Sequence, residues 1–334
     1  MRVLVTGGAG YIGSVCVEEL VRSGHDVTVI DDLVEGFREA VVPEATLHVG
    51  CLSQRAWVME KLETLQPEAV IHFAALAKVG ESMKKPGKYF SNNVSAGLNL
   101  LDACVASKVR KLVFSSTCAT YGIPRYVPLD ESHPQNPINP YGESKRMFEG
   151  ILKWYEEIYG LPYVAFRYFN AAGAAKNRGQ SHREMSHLIP NILQVALGQK
   201  KACHILGTDY PTPDGTGIRD YIHILDLADA HIKAIASDAT GCFNLGTGRG
   251  HSVLEVIQTC ERVTGKTIPC VKKARREGDP PELVAAPTKA RETFGWKARF
   301  TDLEDIVASA WKWHQSYPQG YPSSAGSPCS SGSV

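Results

Sequence analysis

Short apolar runs alternate with stretches of helical period through the first half of the chain. Arg2-Val5, Val27-Ile30, Thr46-Val49, Ala69-Phe73, Lys111-Phe114 and Tyr163-Arg167 are four or five residues long and bounded by turn formers. They predict strands. Between them Ile12-Ser23, Arg55-Thr64, Asn93-Ser107 and Tyr141-Tyr159 carry apolar positions at helical spacing and predict helices. Continuously apolar strands alternating with helices imply an α/β fold, a Rossmann-type doubly wound parallel sheet covered on both faces.

Beyond Asn170 the pattern loosens. Gly and Pro become frequent, and Leu188-Leu197, Asp226-Ile235 and Val253-Val263 stand out as helices among shorter signals. The expected division is a dinucleotide-binding domain over 1–169 and a smaller α/β substrate domain over 170–320, with some interleaving. Residues 321–334, which include the low-complexity run SSAGSPCSSGSV, are expected to be a disordered tail.

The bulk numbers narrow the function classes. With 334 residues, 43% hydrophobic and 21% charged, the chain has the composition of an ordinary globular protein. A net charge of +1 and the lack of a long basic run argue against nucleic acid or an anionic membrane as partner. No apolar run reaches the ~18 residues of a spanning helix, and Val3-Leu4-Val5 is too short for the core of a signal peptide. Nine cysteines without a CxxC pair read as reduced thiols, hence a cytoplasmic location. The eleven histidines show no metal-ligand spacing.

The string RVLVTGGAGYIGS runs a strand into a glycine turn and then a helix, with Gly7, Gly10 and Gly13 in GxxGxxG spacing. Such a turn lets the chain reverse, lets backbone approach a pyrophosphate, and lets helix pack on strand. The helix start then offers free N–H groups to phosphate. Asp31 follows Gly13 by 18 residues at the end of the second strand. A carboxylate there accepts from a ribose 2′-hydroxyl and repels a 2′-phosphate, which selects NAD over NADP. Arg38 is the one contrary hint.

Ser115, Ser116 and Thr117 close the strand KLVF, at the carboxyl end where ligands of a doubly wound sheet bind. Strand-end turn chemistry explains them equally well. In NPYGESKRMFE, Asn139-Pro140 starts a helix that places Tyr141 and Lys145 on one face. Alone, that pair is ordinary helix surface. Beside a dinucleotide loop and a hydroxyl cluster it reads as a base whose phenol pKa, usually ~10, is lowered by the lysine ammonium and a nearby nicotinamide cation together.

Longer strings carry a resemblance. TGGAGYIGS, HFAALAKVGES, SSTCATYG, NPYGESK, RYFNAAGA, GTDYPTPDGTGIRDYIHILDLADAH, NLGTG and RREGDPPELVA resemble the extended short-chain dehydrogenases, and most closely the UDP-glucose 4-epimerase family, from residue 1 to about 320. The resemblance implies an isomerase with resident NAD. A sugar C4 gives hydride to the nicotinamide while the tyrosine takes the 4-hydroxyl proton; the 4-keto sugar turns over, and hydride returns to the other face. Carried over, Tyr141 is the base, Lys145 its electrostatic partner, and Thr117 bonds the reacting oxygen.

The resemblance also implies the walls. The cofactor side comprises Gly7, Gly10, Tyr11, Ile12, Gly13, Asp31, Asp32, Leu33, Cys51, Leu52, Phe73, Ala74, Ala75, Lys78, Asn93, Ser115, Tyr141, Lys145 and Tyr168. The UDP-sugar side comprises Lys78, Thr117, Tyr141, Asn170, His187, Leu188, His204, Leu206, Arg219, Tyr221, Arg276, Asp279 and Leu283. Two arginine forks suit a diphosphate, although the same strings read without the resemblance as salt-bridged turns. Cys51 and Leu52 stand where the family has an acid facing adenine, so that contact is expected to be lost or passed to backbone. Lys78 falls one place after the family's lysine.

Cys118 and Ala119 replace the acids that sugar dehydratases carry after the strand-end hydroxyl, which argues against dehydration. Leu283 stands where a bulky Tyr often faces the sugar C2 substituent, leaving N-acetylated UDP-hexoses and UDP-pentoses open as alternatives. A non-catalytic, NAD-binding regulatory protein is the reading from another class; such proteins lose the Tyr or the Lys. The resemblance further implies a homodimer built on the Asn93-Ser107 and Tyr141-Tyr159 helices.

Overall fold

The computed structural model describes residues 1–181, 185, 187–276 and 278–322; the expected tail segment 323–334 lies outside the described residues. The first layer is a parallel sheet. Its strands are β1 (Arg2–Thr6), β2 (Asp26–Asp31), β3 (Thr46–Val49), β4 (Ala69–His72), β5 (Lys111–Thr117), β6 (Tyr163–Tyr168) and a seventh drawn from far along the chain, which follows β7 (Asn170–Ala172), β8 (Cys203–Leu206) and β9 (Ile218–His223) as β10 (Gly241–Leu245). The spatial order is β10-β6-β5-β4-β1-β2-β3. Strand order reverses between β1 and β4, which opens a crevice above their carboxyl ends.

Helices cover both faces. In chain order they begin α1 (Tyr11–Arg22), α2 (Arg55–Leu65), the short α3 (Val79–Ser82) and α4 (Pro86–Phe90), α5 (Ala96–Ala106) and α6 (Pro140–Tyr159). Val5, Ile71, Val113 and Phe166 pack with α1 on one face; Leu4, Val70, Leu112 and Phe114 pack with α2, α5 and α6 on the other. The alternation of β-strand side chains sends odd and even positions to separate cores. The long helix α6 has explicit ends. The Asn139 side chain accepts from Gly142 N at 2.8 Å, Pro140 opens the first turn, and Gly160 closes it at φ 66°.

The remaining helices are α7 (Leu188–Ala196), α8 (Ile224–Ile235), α9 (Val253–Thr264), α10 (Thr288–Phe294) and α11 (Leu303–Ser316), with strands β11 (Gly250–Ser252), β12 (Cys270–Lys273) and β13 (Glu282–Leu283). A second core forms where α7, α9 and α11 bury Ile192, Leu193, Val256 and Val307. β7, β11 and β13 all pair with β9, and β8 pairs with β12. α8 returns to the large sheet and packs against α1.

Two expectations change. Asn93 does not begin a regular α-helix: Ser91–Ser95 is a π-helical turn leading into α5. Tyr321, expected at the head of the tail, is buried against Trp313 and Phe37, because a free aromatic ring gains by covering that cluster. Among the described residues no helix is long and apolar enough to cross a membrane.

Candidate active site

The glycine loop caps β1 inside the crevice. Gly7 has φ 74°, and a Cβ there would lie 2.5 Å from Ala74 N; a Cβ on Gly13 would lie 2.2 Å from the Gly7 carbonyl oxygen. Both positions exclude any larger residue. Gly10 is the N-cap of α1 and offers no capping side chain, and the first turn holds no acid. A helix start without a capping side chain or an acid suits an anion. Phe73 and Ala74 follow β4 and donate their N–H groups to the Thr6 carbonyl at 2.8 and 3.0 Å, so the adjacent strand end closes on the loop.

Asp31 ends β2 beside this loop. Its carboxylate accepts from Ala9 N and Leu33 N, each at 2.9 Å, and Leu33 sits at φ 59° to make that turn. Burial pushes the Asp31 carboxyl up to about 6, against the pull of those two hydrogen bonds. Asp32 caps Val34 N. Cys51 has its thiol 3.0 Å from Ser53 Oγ, while Leu52 turns into the core with Val58 and offers its carbonyl to Asn99. Lys78 forms an ion pair with Glu35 at 2.7 Å, joining the loops after β4 and β2. A glycine loop at an uncapped helix start, beside a buried acceptor at the second strand end, fits the pyrophosphate and ribose of a dinucleotide.

The catalytic candidates converge at the end of β5, which runs through Thr117 rather than stopping at Phe114. The Thr117 side chain faces the Tyr141 phenol and draws its pKa down. Lys145 is buried, donates to the Ser115 carbonyl at 2.7 Å and lies 4.6 Å from the Phe114 ring centre. The Ser115 hydroxyl bonds Tyr168 OH. Asn93 ties the wall together: it accepts from Leu76 N at 2.8 Å and donates to Leu76 O and to Ser144 Oγ at 3.0 Å. Ala75 lies half-buried in the same loop.

The electrostatics differ from expectation. The phenol of Tyr141 is not lowered here; burial pushes it up to about 12, and the Thr117 side chain only partly offsets that. Lys145 is itself desolvated and held down to about 7, with Glu149 opposing the shift. A buried ammonium that pays this cost has less charge to lend to its neighbour.

The sugar side is assembled from distant segments. A narrow cleft brings Asn170, His187, Leu188 and Tyr221 together with Tyr11, whose hydroxyl donates to the Gly173 carbonyl at 2.6 Å. Arg219 is engaged within the protein. It meets Asp279 at 2.5 Å and donates to the Ile218 and Pro280 carbonyls. Arg276 is exposed and lines a separate open hollow with Asp279, Tyr210 and Ile138. Leu283 is buried with Cys118, Tyr121, Leu129 and Phe169 against the catalytic wall. His204 and Leu206, on β8, line neither hollow. Cys118 is buried and its thiol pushed up to about 12 by burial, which suits packing and not nucleophilic attack.

Comparison with known proteins agrees with this geometry. The model of the NAD dependent epimerase/dehydratase family matches residues 3–246. The chain belongs to that family. Within it, the UDP-glucose 4-epimerase of Streptococcus mutans is 50% identical over 329 residues, covering 96% of this chain and 99% of its own. The crystal structure of UDP-glucose 4-epimerase from Brucella ovis in complex with NAD superposes with a TM-score of 0.89 at 45% identity, covering 93% of this chain and 97% of that one. The enzyme of Bifidobacterium longum in complex with NAD+ and UDP gives 0.92 at 37% identity, over 96% and 100%.

Proposed function

We propose that this chain is an NAD-dependent isomerase that interconverts UDP-glucose and UDP-galactose by inverting the sugar C4 through a transient 4-keto intermediate. The observation that carries the reading is the meeting of Tyr141, Thr117 and Lys145 at one strand end, directly beside a dinucleotide cradle. NAD, when bound, supplies a reversible two-electron acceptor. Tyr141 accepts the 4-hydroxyl proton and later gives it back. Thr117 hydrogen-bonds the same oxygen and orients it. Lys145, anchored on the Ser115 carbonyl, favours the phenolate when protonated. Residues 1–169 with β10 carry the cofactor, and the segments around β7, β9 and β13 carry the sugar nucleotide. There Asn170, Leu188 and Tyr221 hold the nucleotide, and Arg276 meets the diphosphate.

Leu283 favours a second substrate set. It is smaller than a tyrosine and lies beside Cys118 and Tyr121, which makes N-acetylated UDP-hexoses the second substrate reading. Met147, Trp154, Ile158 and Tyr159 are exposed on α6 and form the apolar face on which a homodimer would close. The thiols of the described residues are all free, in keeping with a reducing cytoplasm.

The test is incubation of the purified chain with UDP-galactose and no added NAD, followed by NMR of the anomeric protons. A shift toward a UDP-glucose-rich mixture is the expected result and reports retained NAD as well. Inactivity of the folded protein, persisting after NAD is added, overturns the substrate assignment.

A further inference from the structure

The string that carries Tyr141 and Lys145 ends in a third residue at the same spacing, Glu149. Its side chain faces inward and is 5% exposed. It accepts from the Ser116 hydroxyl at 2.5 Å, from Gln135 Nε2 at 2.8 Å, and from Arg167 Nη2 and Nε at 2.7 and 3.0 Å. Arg167, on β6, is equally buried and also donates to Tyr121 OH at 3.1 Å; that hydroxyl donates in turn to Asn244 at 2.7 Å.

One helix thus grips three successive residues of one strand. Tyr141 faces Thr117, Lys145 bonds the Ser115 carbonyl, and Glu149 bonds Ser116. The spacing of four residues puts all three rungs on one face of α6. A buried ion pair of this kind is weak evidence for stability, because desolvation offsets the attraction. Its geometry is better suited to fixing register.

The geometry points to Glu149 as a positioning residue of the epimerase reaction: with Arg167 it locks β5 against α6, so that Thr117 meets Tyr141, and it places a carboxylate one helical turn from the Lys145 ammonium. The inference rests on the proposed reaction for its catalytic meaning. The groups around Lys145 are few. Glu149, on its own helix, and His72, on β4, interact with it directly; Cys118, Tyr89 and Tyr168 face Tyr141 instead, and Arg167 and Cys242 face Glu149. His72 is neutral, held down to about 3 by burial and then by the Lys145 charge. Glu149 is the anion among them that favours a protonated Lys145.

The test compares Glu149→Gln, Glu149→Asp and wild type. The glutamine keeps hydrogen-bonding capacity but removes the charge. Two quantities are read: the alkaline limb of kcat/KM with pH, and the titration of the Lys145 amine by nitrogen NMR, its signal identified by loss in Lys145→Met. In Glu149→Gln both are expected to move down by about one pH unit, and in Glu149→Asp to return toward wild type. If the glutamine variant does not fold, Glu149→Gln with Arg167→Met removes both charges and leaves the same readouts. An unchanged Lys145 titration, with kcat lowered by one factor at every pH, would falsify the inference. A moved Lys145 titration in a protein inert toward UDP-galactose supports Glu149's role and sinks the substrate reading alone.

Discussion

The cofactor side and the sugar side of the crevice are built differently. On the cofactor side, Gly7, Asp31, Phe73 and Thr117 sit at or just beyond the carboxyl ends of β1, β2, β4 and β5, neighbouring strands of one sheet. Each position follows from a periodic element and a short turn. On the sugar side, Asn170, Leu188, Arg219, Arg276 and Leu283 come from segments that meet only through pairing around β9 and through loops. Arg219 finds Asp279 sixty residues away. The first arrangement tolerates little change in any one turn. The second can alter its ligand by altering one loop, as expected where substrate range varies on a shared scaffold.

Four substitutions would break or sharpen that contrast. The largest effect is expected from Tyr141→Phe, which removes the proton acceptor: kcat should fall by ~10²–10⁴-fold with the fold and retained NAD unchanged by circular dichroism and absorbance. Normal turnover in that variant would remove Tyr141 from the chemistry. On the sugar side, Arg219→Ala should raise KM for UDP-galactose by about thirtyfold, the scale of a charge-assisted hydrogen bond. If thermal stability drops while KM stays, Arg219 serves only the Asp279 turn. Leu283→Tyr should cut the ratio of UDP-N-acetylgalactosamine to UDP-galactose turnover by about tenfold; an unchanged ratio in competition assays would show that the gate lies elsewhere.

The smallest effect concerns Asp31 and has an unusual sign. Its carboxyl is raised to about 6 by burial, from an ordinary 3.8. A carboxyl raised on folding binds its proton more tightly in the folded chain, so its contribution to stability improves as pH falls from about 6 toward 3.8. The ionised form is the one that accepts from a ribose hydroxyl, so NAD affinity should decline over the same window, by a few-fold. Calorimetric NAD binding and unfolding at pH 5 and pH 7 should therefore move in opposite directions through this residue. Asp31→Asn should flatten both differences.

Much of the cofactor side was legible before any coordinates. The strands at Arg2, Asp26, Ala69, Lys111 and Tyr163 and the helix from Pro140 lie where apolar runs and a capping Asn-Pro place them. The charge states were not legible. A Tyr–Lys pair at helical spacing suggests a lowered phenol, but burial of both groups reverses the direction in the folded chain. Nor did spacing decide between a diphosphate contact and a salt-bridged turn for Arg219, or disclose that His204 and Leu206 stand apart from both hollows. Those facts depend on which loops return to β9.

The sequence by itself determined six strands of the sheet, the glycine turn and the helix that presents Tyr141 and Lys145, because each is encoded by local periodicity and by backbone conformations that few residues allow. The tertiary structure alone decided that Gly241–Leu245 completes the sheet, that Leu283 lies against Cys118, and that Glu149 meets Ser116 and Arg167. Those contacts join residues far apart in the chain, where no repeat or spacing records the partner. Burial, which sets the ionisation of Asp31, Tyr141 and Lys145, exists only once the distant segments have closed over them.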